Sequence, residues 1–239
     1  MNIPPRSLRS LPPGGRVSRS GRPFPPDMAA SILARPVTRT LSFGASGRRR
    51  CLIVLASLAL AACGAGGPKF ESSDITGSSF GHDFALEDPD GKPRTLADFR
   101  GKAVVVFFGY TQCPDVCPAT LATLAEAMKQ LGDDADRVQV LFITIDPERD
   151  TPGLLKQYVP AFDRRFLGLY GDADATARTA KEFKVIYQKV AGTTPGSYTM
   201  DHSAGSYVFD PKGRLRLFVS NGQGAAVFAH DLRELLNGA

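Results

Sequence analysis

Residues 103–131 read AVVVFFGYTQCPDVCPATLATLAEAMKQL, and a change of period inside that stretch decides the fold. Ala103 to Tyr110 is an unbroken apolar run rich in β-branched and aromatic side chains, the pattern of a strand buried on both faces. From Pro118 to Leu131 the apolar residues return at helical spacing, with Leu121, Leu124, Ala125, Met128 and Leu131 on one side. Pro118 suits a first helical turn, where its missing N–H costs nothing. A central strand running within a few residues into a helix is a unit of an α/β sheet protein. At the junction stand Cys113 and Cys117, each followed by a proline, with Asp115 between them.

The alternation continues downstream. VQVLFITI (138–145) reads as a second buried strand, and the loop DPERDTP leads into a helix over 152–162. FLGLYG (166–171) predicts a short strand and 173–183 a further helix. VIYQKV is a short apolar stretch, and AGTTPGSYTMD (191–201) reads as a polar loop containing Gly and Pro. SAGSYVFD and RLRLFV are antiparallel strands joined by the turn Asp210-Pro211-Lys212-Gly213, and AAVFAHDLRELLN closes the chain as an amphipathic helix. Upstream, HDFALEDPDGKPRTLADF (82–99) places two short runs around Asp88-Pro89-Asp90-Gly91, a β-hairpin signal. Together these predict an α/β sandwich over 80–239, with a mixed central sheet, an added N-terminal hairpin and flanking helices.

The formal charge of +5 belongs to the leader. Residues 1–62 hold ten Arg, no Lys and one acid; removing them from the chain's 29 basic and 24 acidic residues leaves 19 and 23. The domain is mildly acidic and carries no nucleic-acid footprint. Residues 1–47 are rich in Pro, Gly, Ser and Arg, a disorder-prone or mis-assigned extension with Met28 as a candidate start. Arg48, Arg49 and Arg50 followed by CLIVLASLALAA (51–62) have the parts of an export signal. Twelve apolar residues make roughly 18 Å of helix, short of a hydrocarbon core of about 30 Å. LALAAC then resembles a bacterial lipobox, so 48–63 reads as a signal peptide in which Cys63 takes the lipid, and 64–79 as a flexible spacer. An ordinary signal peptide cut nearby is the alternative.

Cys51 and Cys63 fall in the leader, so the domain keeps only Cys113 and Cys117. A loop this small hardly constrains the unfolded chain, which disfavours a structural staple and leaves redox chemistry or metal. At a helix start, free N–H groups and the positive dipole end predict depressed pKa values for both thiols. A thiolate serves equally as disulfide-exchange nucleophile and soft metal ligand. Two features favour metal. Three intervening residues let the sulfurs diverge around an ion, and Asp201-His202-Ser203 offers an imidazole that reaches the cysteine loop if the two strands are neighbours. Two thiolates and one neutral imidazole suit Cu(I), or Cu(II) in a thiolate-rich site; structural zinc wants a fourth ligand. His82 and His230 lack such support and read as solvated. Asp115 tunes the thiolates or simply favours the helix start. Asp146, Glu148 and Asp150 read either as support for the site or as caps of the helix near Pro152. Phe107, Phe108 and Tyr110 are core.

Three ordered motifs, YTQCPDVCP after a strand, TIDPERDTP about thirty residues on and DHS before the last hairpin, together resemble the SCO/SenC family over roughly Phe80 to Leu236. The resemblance implies a membrane-tethered, thioredoxin-like protein that binds one copper, with Cys113, Cys117 and His202 as ligands. It implies a role in assembling the binuclear copper centre of cytochrome c oxidase subunit II, with a periplasmic copper donor, a lipid anchor and a domain facing the periplasm. Such a protein is a metallochaperone rather than an enzyme. A thiol–disulfide oxidoreductase that keeps the acceptor's cysteines reduced, with Cys113 and Cys117 as its redox pair, is the alternative. Against a general oxidoreductase, Met200-Asp201-His202-Ser203 stands where thioredoxin-type enzymes usually place a cis proline. Against a peroxidase, no arginine lies inside the cysteine loop.

Overall fold

The computed structural model describes residues 69–239. The extension, the export signal with Cys63 and the first part of the spacer lie outside the described residues. In chain order the elements are strands β1 (Ser73–Asp74), β2 (Leu86–Glu87), β3 (Pro93–Arg94) and β4 (Ala103–Gly109), helix α1 (Val116–Leu131), β5 (Val138–Thr144), α2 (Pro152–Tyr158), β6 (Leu167–Leu169), α3 (Ala173–Glu182), β7 (Tyr187–Ala191), β8 (Tyr198–His202), β9 (Gly205–Phe209), β10 (Leu215–Ser220) and α4 (Ala225–Leu236).

Six strands form one mixed sheet in the order β1-β10-β9-β4-β5-β6. The β4-β5-β6 half is parallel, while β9 joins β4, and β10 joins β9, in antiparallel fashion. This is the expected α/β sandwich, and β4 lies at its middle with every residue buried. Phe107 pairs in register with Phe142 of β5, and their rings meet at 6.1 Å between centroids. Phe108 points the other way, 5.2 Å from Phe183, which also packs on Tyr207 and Phe209. Both faces of the strand are therefore closed by aromatic side chains, each worth about 1.5–3 kcal/mol of transfer free energy. That double burial is why β4 reads as a continuous apolar run rather than an alternation.

The boundaries differ from expectation in instructive ways. Helix α1 starts at Val116, two residues before Pro118, and Cys117 lies in its first turn, as its place at the helix start implied, and joins its buried row. The helix expected over 152–162 ends at Tyr158 and tightens into a 3₁₀ turn at Val159–Ala161, since Pro160 has no N–H to continue it. The hairpin over 82–99 has only two-residue strands, β2 and β3. Its turn is closed by the Asp88 carboxylate, which accepts from the Asp90 and Lys92 N–H groups and from Arg94.

Two stretches expected as loop or spacer carry structure. Within 64–79, β1 pairs with β10, and buried Asp231 accepts hydrogen bonds from the Glu71 and Ser72 N–H groups and the Ser72 hydroxyl. The polar stretch 191–201 is half strand: β8 pairs antiparallel with β7 in a separate hairpin turned at 192–197. Tyr198, Met200 and His202 alternate with exposed Thr199 and Asp201, a period-two signal that the surrounding Gly and Pro obscured.

Candidate metal centre

The cysteine loop is held close against the end of β4. A Cβ at Gly109 would stand 2.8 Å from Cys117 Sγ and 2.8 Å from Phe142 Cε2, so only glycine lets α1 approach the strand this nearly. Cys117 is fully buried as a result. Cys113 stays partly exposed in the turn before the helix, its N–H donating to the Tyr110 carbonyl at 3.3 Å. The Cys117 N–H, one of the free donors of the first helical turn, points at Cys113 Sγ at 3.5 Å.

The two thiols therefore differ, contrary to the expectation that both are acidified. Partial burial pushes Cys113 up, but the N–H groups of Asp115, Cys117 and Val116 outweigh it and bring the thiol below its ordinary value. Burial dominates at Cys117 and pushes it well above the ordinary range; the neighbouring Cys113 and Asp150 add to that. The helix start acidifies only the sulfur that sits in front of it, because the other has lost its water.

His202 closes β8 and meets this pair. Its Nε2 lies 3.7 Å from Cys117 Sγ, across 85 residues of chain. Nδ1 is 3.0 Å from the Ser203 carbonyl oxygen, which can only accept, so Nδ1 carries the proton and Nε2 presents its lone pair to the sulfur. The Tyr110 ring stands edge-on at 6.1 Å and limits where the imidazole can turn. Burial holds the His202 pKa below the ordinary histidine value, against the opposing pull of the Ser203 carbonyl and Asp201. The neutral imidazole is thus the folded form. Its contribution to stability is complete above the ordinary value and drains away as pH falls through the depressed one.

His230 shows the reverse. Its Nε2 donates to the Lys69 carbonyl at 2.9 Å, which with the nearby Glu71, Asp231 and Glu234 raises its pKa. Titrating the imidazole NMR resonances of the full chain should give a midpoint below the ordinary value for His202 and above it for His230. A His202 midpoint at or above the ordinary value would mean that the ring is not packed as described.

A carboxylate beneath the loop fixes its start. Asp150, buried, accepts from the Thr111 N–H at 3.0 Å, the Thr111 hydroxyl at 2.6 Å and the Thr144 hydroxyl at 2.6 Å. It is not the helix cap: Thr151 is, accepting from the Leu154 N–H at 3.3 Å. Asp146 is buried as well, bound by Arg149 and the Tyr198 hydroxyl. An arginine absent from the cysteine loop is thereby brought to it from another element, and the sequence reading missed it. Asp115 stands at the N-cap without a side-chain capping bond, and His82 and His230 lie elsewhere. Among the described residues no three His, Cys, Asp or Glu side chains already enclose a metal-sized space. The contact between Cys117 and His202 is formed, and partly exposed Cys113 lies beside Cys117, its Sγ 3.5 Å from the Cys117 nitrogen.

The sequence profile of the SCO1/SenC family matches residues 72–237. The bovine (Bos taurus) mitochondrial SCO2 homolog is 38% identical over 153 residues, covering 63% of this chain and 58% of that protein, so the chain spans less than two thirds of it. A copper-bound ScoI structure from Bradyrhizobium japonicum is 40% identical and superposes with a TM-score of 0.61, covering 66% of this chain and all of that one. The apo Sco1 solution structure from Thermus thermophilus is 41% identical with a TM-score of 0.64, covering 72% of this chain and all of that one. The fold shared with these neighbours is thioredoxin-like. With the profile running from β1 to the end of α4 and the YTQCPDVCP and DHS motifs meeting in space, this chain belongs to the SCO1/SenC family.

Proposed function

We propose that this protein carries one copper ion as cargo, held by Cys113, Cys117 and His202, and passes it to the binuclear copper site of cytochrome c oxidase subunit II or a similar acceptor during assembly. The observation that carries this reading is the approach of His202 Nε2, unprotonated, to Cys117 Sγ at 3.7 Å across 85 residues of chain. Two sulfurs and an imidazole are a soft donor set that suits copper better than oxygen-loving metals. A relative matched over the whole of its solved chain, the Bradyrhizobium ScoI, has copper bound. Partly exposed Cys113 gives an acceptor's thiols a place to enter by ligand exchange, while buried Cys117 and half-buried His202 shield the other side. Lipidation at Cys63 would keep the domain at the cell membrane, facing the periplasm, where a donor protein loads it.

Anaerobic titration of the reduced protein with Cu(I), followed by X-ray absorption, tests this. The expected result is one ion per chain with sulfur and one imidazole nitrogen around it, the nitrogen missing in His202→Ala. An unchanged affinity and ligand shell in His202→Ala removes the histidine from the site.

The unequal thiols also favour a second reading, reduction of the acceptor's disulfide. An accessible, acidified Cys113 would attack one acceptor sulfur, giving a mixed disulfide and one free acceptor thiol. Cys117 would then attack Cys113, releasing the second acceptor thiol and leaving this chain oxidised. A mixed disulfide trapped by Cys117→Ser would support it.

A further inference from the structure

Arg149, in the loop between β5 and α2, reaches three separate pieces of chain with one guanidinium. Nε donates to Asp146 Oδ2 at 2.5 Å, and Nη1 donates to the Tyr198 carbonyl at 2.8 Å and to Gln112 Oε1 at 3.3 Å. The group stacks on the Tyr198 ring, with Cζ 3.6 Å from the centroid, and stands 5.6 Å from the Tyr110 ring centre. Nη2 is buried and has no hydrogen-bond partner. The Tyr198 hydroxyl completes the loop by donating to Asp146 Oδ1 at 2.8 Å.

These partners are placed tellingly. Gln112 directly precedes Cys113, while Tyr198 opens the strand that His202 closes. The β7–β8 hairpin is no part of the six-stranded sheet, so no ladder hydrogen bond to that sheet sets where it lies. The other charged contact from this loop to the hairpin, Lys189 with Glu148, is solvent-exposed and contributes little. Arg149 lies between the two halves of the metal centre and bonds to both.

We propose that Arg149 is a positioning residue for the metal centre: it fastens the β8 hairpin to the cysteine loop and so holds His202 Nε2 against Cys117. The proposal rests on the copper reading for its consequence, though not for its geometry. In the full chain, Arg149→Met should weaken copper affinity by about 10- to 100-fold, the range for removing a residue that orients a metal ligand. It should also shift the Cu(II)–thiolate absorption towards that of His202→Ala. Arg149→Lys should recover only part, since an ammonium keeps the charge but neither the fork nor the stack. In a His202→Ala background, Arg149→Met should cost no further affinity. A general loss of stability would add to the histidine's effect instead; additive losses, or an unchanged affinity and spectrum, overturn the proposal. Should Arg149→Met not fold, Tyr198→Leu removes the stacked ring and carries the same expectation. If the wild-type protein takes up no copper, the functional reading falls while the positioning claim is still read in the apo protein by hydrogen exchange. There the amides of 198–202 should exchange faster in Arg149→Met with those of α1 unchanged, and equal exchange in both segments overturns the claim.

Discussion

Cys117→Ser is expected to weaken copper binding by about two to three orders of magnitude. Four-ligand structural zinc sites of thiolate and imidazole are worth roughly 10–16 kcal/mol, so one ligand of this kind is worth about 2.5–4 kcal/mol, and every 1.4 kcal/mol is about tenfold. A serine hydroxyl neither ionises at this depth nor matches a soft ion. The same change at Cys113 should cost a similar amount, although that sulfur is half exposed, because affinity follows the donor lost rather than its burial. The two variants should part in their kinetics. The pair His202–Cys117 is already formed, so Cys113→Ser should leave a site that still takes copper and releases it quickly. Competition against a Cu(I) chelator of known affinity, together with stopped-flow transfer to that chelator, measures both. Wild-type affinity in either variant would sink the assignment of that sulfur as a ligand.

Asp150→Ala is expected to destabilise the fold by roughly 1–3 kcal/mol, the cost of leaving a buried donor without its acceptor. The carboxylate serves the Thr111 N–H, the Thr111 hydroxyl and the Thr144 hydroxyl at once, and buried donors left without an acceptor cost about 1–3 kcal/mol each. The hydroxyls can turn to other acceptors; the amide cannot. Burial raises the Asp150 pKa, offset in part by the threonine hydrogen bonds. A raised carboxyl pKa means that folding favours the protonated form. That contribution is full at low pH and is lost as pH rises through the raised value. The stability gap between wild type and Asp150→Ala should therefore be wider at acidic than at neutral pH. Urea unfolding of both proteins at two pH values tests this, and coincident midpoints would show that the network does not anchor the loop. Copper affinity should fall too, since Thr111 lies two residues before Cys113 and sets where the turn begins.

The difference between Asp150 and its neighbours shows where sequence reading stops. Asp146, Glu148 and Asp150 are three acids on one short loop, and nothing local separates them. The structure sends Asp150 beneath the cysteine loop, Asp146 to Arg149 and Tyr198, and Glu148 to an exposed lysine. Arg149 was equally invisible, because its role is defined by Gln112 and Tyr198, which lie 37 and 49 residues away. Tyr198 to His202 was legible in principle as an alternating strand, yet Gly192, Pro195 and Gly196 made the whole stretch read as loop. Gly109, by contrast, follows a run of apolar residues in which a glycine is out of place, and its reason appears only with the sulfur 2.8 Å from its missing side chain.

The sequence by itself determined the alternation of buried strands and amphipathic helices, the place of the cysteine pair at a strand-to-helix junction, and the candidacy of His202 as its partner. The first two follow from period and spacing, which neighbouring residues set among themselves; the third came from the resemblance of the DHS motif to the SCO/SenC family. Only the tertiary structure decided which thiol is acidified, which ring nitrogen faces the sulfur, and which arginine holds the hairpin in place. Each of these depends on how much water is removed from a group and which distant dipoles face it, and chain packing alone supplies both.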